Sequence, residues 1–159
     1  MRNICIIGKG SIGVRHAKIF NQLGCKIYFL RTKKNLKNYK LNFKYTEIFN
    51  FRDIKKLKFD LYVISNPTSL HFNILKKIVK KKINILIEKP LVAKKADLKI
   101  IKKILKSHKA NIFMGYMFRF DKRILLLKEK LKKDFKYIKH ANFTLKTYMP
   151  NWHAGENYL

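Results

Sequence analysis

The chain has only two cysteines in 159 residues, Cys5 and Cys25, and no CxxC spacing. That excludes a disulfide framework or a cysteine-rich metal site, and we expect two reduced thiols in a cytoplasmic protein. Prolines number three and glycines six, too few for a collagen-like or low-complexity chain. No apolar run approaches the roughly 18 residues of a membrane-spanning helix. A strand expected from about Arg2 leaves no room ahead of it for a signal peptide. Acidic residues are also scarce, nine against 38 basic ones, for a formal charge of +29.

Such a charge raises nucleic acid or an anionic surface as a partner. Arginine, however, is confined to Arg2, Arg15, Arg31, Arg52, Arg119 and Arg123, and lysine makes up the rest. Lysine is a poor substitute where bases or phosphates are gripped in two-pronged fashion. The lysines also recur at helical spacing, as in Lys76-Lys77 with Lys80-Lys81-Lys82, and Lys94-Lys95 with Lys99, Lys102-Lys103 and Lys106. We read them as solvated outer faces that attract polyanions without specificity. No specific nucleic-acid or membrane partner is expected.

What is present is apolar patterning, at 47% hydrophobic residues, enough for a real core. Strands are expected at 2–7, Lys26–Leu30, Leu41–Tyr45, Asp60–Ser65, Ile83–Ile87 and Asn111–Gly115. Helices are expected at 11–24, near Ile48–Leu57, and at Thr68–Lys82, Lys94–Ser107 and Phe120–Lys133. Ile12, His16, Phe20 and Leu23 would face the sheet from the first helix, and Leu70, Ile74, Leu75 and Ile78 from the third. Thr68 or Ser69 would cap that third helix. Arg31 to Lys40 reads as loop or a decayed short helix. The alternation predicts an α/β fold, a doubly wound parallel sheet with right-handed crossovers. From Tyr137 the pattern becomes a longer extended run through Met149, like the first strand of a second α/β domain. We therefore expect a first domain over 1–120, and a connecting helix with the start of a second over 121–159.

Two motifs carry chemistry. Gly8-Lys9-Gly10-Ser11-Ile12-Gly13 closes the first strand and opens a helix. Gly8 permits the tight turn, Gly10 lets the backbone approach a pyrophosphate, and Gly13 lets the helix pack closely on the sheet. This fingerprint marks a dinucleotide-binding Rossmann domain when strand and helix flank it as they do here. It expects an acidic residue about 20 positions on, to hold the ribose 2′-hydroxyl. Leu30-Arg31-Thr32 stands there, and a cation at Arg31 suits a 2′-phosphate, so NADP is expected slightly ahead of NAD. The second motif is Glu88-Lys89-Pro90, at the carboxyl end of a buried strand, where open α/β sheets bind ligands. A lysine stiffened by the following proline would point at whatever occupies that crevice.

With these pieces in order, the chain resembles the Gfo/Idh/MocA family of nicotinamide-dependent oxidoreductases. The residues that carry the likeness are GKGSIGVRH at Gly8–His16, SNPTSLH at Ser65–His71, EKPL at Glu88–Leu91 and MGYMFRF at Met114–Phe120. The resemblance implies hydride transfer between NADP or NAD and a hydroxyl of a sugar or sugar nucleotide. It implies that Gly8, Gly10, Ser11, Ile12 and Gly13 line the pyrophosphate and Arg31 the adenosine ribose. Asn66, Pro67, Thr68 and His71 would border the nicotinamide side, with Glu88 near the ring. Lys89 would contact the substrate hydroxyl and assist proton transfer, as the catalytic residue, and Arg119 would help hold substrate.

The segment Tyr148-Met149-Pro150-Asn151-Trp152-His153 resembles one in relatives tied to surface-polysaccharide and nucleotide-sugar biosynthesis. The family's members run to about twice this length, so the chain reads as a cofactor half, from a truncated reading frame, a gene split in two or a deliberately short protein, with a separately encoded second half or another copy as candidate partner. Alone, it would bind cofactor without turning over. A basic polyanion-binding module on a Rossmann-like scaffold is the alternative.

Overall fold

The computed structural model describes residues 1–31, 39–79, 83–108, 110–134, 139–144 and 146. In chain order the elements are β1 (Asn3–Ile7), α1 (Ser11–Gln22), β2 (Lys26–Leu30), β3 (Tyr45–Ile48), α2 (Phe51–Ile54), β4 (Leu61–Ile64) and α3 (Thr68–Ile78). There follow β5 (Asn84–Ile87), α4 (Lys95–Ser107), β6 (Asn111–Met114), a 3-10 turn at Met117–Arg119, and α5 (Lys122–Asp134). All six strands run parallel in the order β3-β2-β1-β4-β5-β6. The order reverses between β1 and β4. The crevice beyond the carboxyl ends of those two strands is where such sheets take ligands.

Each central strand is buried on both faces, which is why the strands read as continuous Ile, Val and Leu runs. One face gathers Cys5, Ile7, Leu30, Ile64, Ile85 and Ile87 against Ile74, Leu75 and Ile78 of α3 and Ile101 of α4. The other gathers Ile4, Ile6, Ile27, Phe29 and Val63 against Ala17 of α1. Each fully buried aliphatic side chain contributes about 1.5–3 kcal/mol. Burial also pushes the Cys5 thiol up to about 12, so it sits inert in β1. Lys76, Lys77, Lys99, Lys102, Lys103 and Lys106 lie on exposed surface, as solvated helix faces require.

The structure differs from the periodicity argument in four places. The third strand is Tyr45–Ile48, not Leu41–Tyr45; Leu41 and Phe43 instead pack beside the α1-side core without joining the ladder. On α1 the buried residues are Gly13, Val14 and Ala17, while Leu23, past the helix end, is exposed. On α3 His71 takes the inward place expected of Leu70. Pro67 precedes that helix with no side-chain cap from Thr68 or Ser69. No described helix is long and apolar enough to cross a membrane.

The chain divides into two compact units, Met1–Met117 and Phe118–Leu159. In the second, Asp121 opens α5 by accepting from the Arg123 backbone N–H at 2.9 Å. Hydrogen bonds from the Arg123 side chain draw the Asp121 carboxyl down to about 2. Of the extended run expected from Tyr137, the described residues 139–144 and 146 pair with no strand. Its remaining positions, and the Tyr148–His153 segment, lie outside the described residues.

Candidate functional site

The glycine loop sits at the strand reversal, and two of its glycines are demanded by the backbone. Gly8 has φ +103°, and a Cβ there would lie 2.8 Å from the Asn66 backbone nitrogen. A Cβ on Gly13 would strike the Gly8 carbonyl, so α1 packs against the loop only because that residue has no side chain. Gly10 is different: a Cβ there would meet nothing within 4 Å, and the residue is exposed at the start of α1. Ser11, Ile12 and Gly13 follow in the first turn, whose N–H groups have no partner within the helix. The Ser65 hydroxyl lies 3.2 Å from the carbonyls of both Ile7 and Gly8, tying the loop to the end of β4. Next to it, Asn66 Oδ1 is buried without a hydrogen-bond partner. An open glycine at a helix start beside an orphaned amide oxygen fits a dinucleotide's pyrophosphate and an adjoining donor group.

On the β2–β3 side, charges are gathered and spent on one another. Arg31 follows β2 and hydrogen-bonds through its backbone N–H to the Ile48 carbonyl, which brings its side chain beside β3. Its guanidinium donates to both oxygens of Glu47, at 3.0 and 3.1 Å. Lys9, inside the glycine loop, donates to the same carboxylate at 2.7 Å and to the Tyr45 hydroxyl at 2.9 Å. Its ammonium also lies 4.3 Å from the Tyr45 ring centre. The side chains of Lys9, Arg31 and Glu47 are 1%, 5% and 21% exposed. Burial alone would push the Glu47 carboxyl up; the hydrogen bonds and charges of Lys9 and Arg31 outweigh it and hold the group below its ordinary value. Arg31 is therefore not the open cation that the NADP expectation supposed.

On the β5–β6 side, Glu88 accepts a hydrogen bond at 2.7 Å from His16 Nε2 of α1. That bond, working against burial and helped by His16 and Lys89, holds the Glu88 carboxyl below its ordinary value. A Cβ on Gly115 would lie 3.0 Å from the same carboxylate, so a glycine after β6 is what admits it. Lys89 itself is exposed, and the peptide to Pro90 is cis. Beneath it His71 is 1% exposed, with Nδ1 3.0 Å from the Pro90 carbonyl and Nε2 2.8 Å from the Asn66 carbonyl. Both partners are acceptors, so a neutral ring donates to one of them and a protonated ring to both. His71 thus holds the ends of β4 and β5 together with its ring nitrogens occupied. Pro67 and Thr68 lie at the start of α3.

The first unit therefore brings the glycine loop, Arg31, Asn66, Pro67, Thr68, His71, Glu88 and Lys89 to one edge of one sheet. Arg119 belongs to the second unit, in the 3-10 turn. Sequence reasoning assigned no role to Lys9, Glu47 or Gly115, and placed His16 only as a sheet-facing residue. The signal for His16 was present, since it ends the GKGSIGVRH stretch one turn after Gly13. No group of three or more histidine, cysteine, aspartate or glutamate side chains suited to a metal occurs among the described residues.

Strand order, glycine loop and helix start together define a dinucleotide-binding Rossmann domain. The chain belongs to the Gfo/Idh/MocA oxidoreductases: residues 2–116 match that family, described as having an NAD-binding Rossmann fold. No curated protein matches the chain. Among solved structures, it is similar to the WlbA (WbpB) dehydrogenase of Thermus thermophilus, in complex with NAD and UDP-GlcNAcA. The TM-score is 0.69 and the identity 23%, over 84% of this chain and 48% of that one. It is similar to myo-inositol 2-dehydrogenase of Lactobacillus plantarum, with TM-score 0.72 and 25% identity, over 83% and 41%. A third is scyllo-inositol dehydrogenase of Lactobacillus casei with NAD(H) and scyllo-inositol, at TM-score 0.70 and 18% identity, over 84% and 41%. The chain spans less than half the length of each of these three.

Proposed function

We propose that this chain is the cofactor-binding part of an oxidoreductase that moves hydride between a nicotinamide dinucleotide and a sugar or sugar-nucleotide hydroxyl. The observation that carries the reading is the convergence of an open Gly10, the orphaned Asn66 Oδ1 and the Glu88-Lys89 pair on adjoining strand ends. Ser11, Ile12 and Gly13 would hold the pyrophosphate through backbone N–H groups, while Asn66, Pro67 and Thr68 would border the nicotinamide. The bound cofactor supplies a hydride acceptor or donor. Oxidation of a hydroxyl carbon also releases the hydroxyl proton, and Lys89 Nζ would take it, returning it in the reverse direction. His71 and the His16–Glu88 pair position the backbone on which Lys89 stands. Arg119 would help hold substrate.

A nucleotide sugar is favoured as substrate by the WlbA dehydrogenase bound to UDP-GlcNAcA and by the resemblance of the Tyr148–His153 segment. A role in surface-polysaccharide synthesis in the cytoplasm would follow. Turnover is expected to need the rest of the fold that the longer relatives possess. The exposed Phe120 and Leu126 of the second unit suit burial against it.

The test follows nicotinamide absorbance with nucleotide sugars, with and without any downstream gene product. Lys89→Ala should lower turnover by about 10²–10⁴-fold while leaving cofactor affinity intact. Full turnover by the variant would overturn the role of Lys89.

A further inference from the structure

The cluster at the β2–β3 end has an uneven distribution of exposure that bears on cofactor choice. Phe29 and Glu47 are register partners on adjacent parallel strands, so Phe29, Arg31, Tyr45 and Glu47 share the sheet face that α1 covers. The carboxylate lies beside the glycine loop, since Lys9 of that loop donates to it. This is the neighbourhood in which a bound dinucleotide places its adenosine ribose. Two cations lie almost wholly buried behind the carboxylate, and the carboxylate is the member that reaches solvent. It accepts three N–H contacts, one from Lys9 and two from Arg31. An ionised carboxylate offers about four acceptor sites, which leaves room for one more donor.

We propose that Glu47 reads the adenosine ribose, accepting a hydrogen bond from its 2′-hydroxyl, and that it makes this chain prefer NAD to NADP. Glu47 replaces from β3 the acidic residue that the end of β2 lacks. A 2′-hydroxyl donates to a carboxylate, whereas a 2′-phosphate presents acceptors and negative charge to it. Arg31 and Lys9 neutralise the carboxylate from behind and fix its direction. This assignment rests on the dinucleotide reading above.

The test titrates the full chain with NADH and NADPH at about 150 mM salt, following nicotinamide fluorescence. The wild type should bind NADH at least about tenfold more tightly than NADPH, and Glu47→Gln should bring the two within about twofold. Because Glu47→Gln removes the carboxylate charge that faces two buried cations and so risks the fold, Glu47→Asp is measured beside it. It keeps the charge and withdraws the carboxylate by one methylene, and should weaken NADH about fivefold with little change in NADPH. Parity or an NADPH preference in the wild type overturns the proposal, as does an unchanged ratio in either folded variant, while the dinucleotide reading stands. A folded wild type that binds neither cofactor removes both.

Discussion

At the β2–β3 end of the sheet, Lys9 and Arg31 are buried and bonded to Glu47; at the β5–β6 end, Lys89 stands exposed over a buried His71 and a half-buried His16–Glu88 pair. The first arrangement has the form of a recognition surface. Its charges are fixed in direction by one another and present a single group outward. In the second, an exposed lysine stands on a backbone held by His71 and by the His16–Glu88 pair. Rigid support beneath an accessible group is what catalysis by proton transfer requires. A lysine can therefore be locked into the fold or left at the surface in the same chain, and burial with a carboxylate partner separates the two.

The sharpest break should come where both ends meet, at the glycine loop. Gly8→Ala combines a positive φ with a clash against Asn66 and should cost about 3–5 kcal/mol in urea denaturation. Gly10→Ala, facing open space, should cost about 1 kcal/mol or less and still weaken cofactor binding. Equal losses of stability from the two would mean that Gly10 is a packing residue.

Next in size is His71→Ala, which removes the buried ring that spans the carbonyls of Asn66 and Pro90 and the hydrogen bond it donates there. We expect a loss of about 2–4 kcal/mol in the same assay. Acidification tests both ends together. The Glu47 and Glu88 carboxyls are held below their ordinary value of 4.5 in the folded chain. The stability they contribute is complete above that value and is lost as pH falls through the lowered folded values. The Glu47→Gln/Glu88→Gln chain should therefore lose less stability than the wild type between about pH 5 and pH 3. Parallel pH curves would contradict the two ion pairs. Smallest of all is Lys89→Ala, which should leave stability within about 0.5 kcal/mol by the same denaturation, because the side chain is exposed.

The two ends were not equally legible. The glycine loop, the Asn66 turn and Glu88-Lys89 stood out because each closes an apolar strand and consists of residues with narrow conformational uses. The doubly wound sheet followed from the alternation of those strands with amphipathic helices, and the structure has such a sheet. Glu47 escaped because the third strand was sought in Leu41–Tyr45, where alternating apolar residues mimic one. The ladder instead runs through Tyr45–Ile48, where a polar Thr46 and Glu47 read as loop. A carboxylate is tolerated in that strand because Lys9 and Arg31 compensate it, and no local pattern reveals partners 38 and 16 residues away. The inward face of α3 was hidden in the same way: the burial of His71 depends on carbonyls at the ends of two strands, and helical spacing alone favoured Leu70.

The central claim is that this edge of the sheet binds a nicotinamide dinucleotide. Its most direct test is a fluorescence titration of the full chain with NADH at about 200 mM salt, where nonspecific attraction to so basic a protein is screened. We predict saturable binding with one site per chain, reduced at least about tenfold by Gly10→Ala in a chain that stays folded. A folded chain with no saturable signal, or one whose binding to NADH vanishes with salt and is indifferent to Gly10→Ala, would contradict the account.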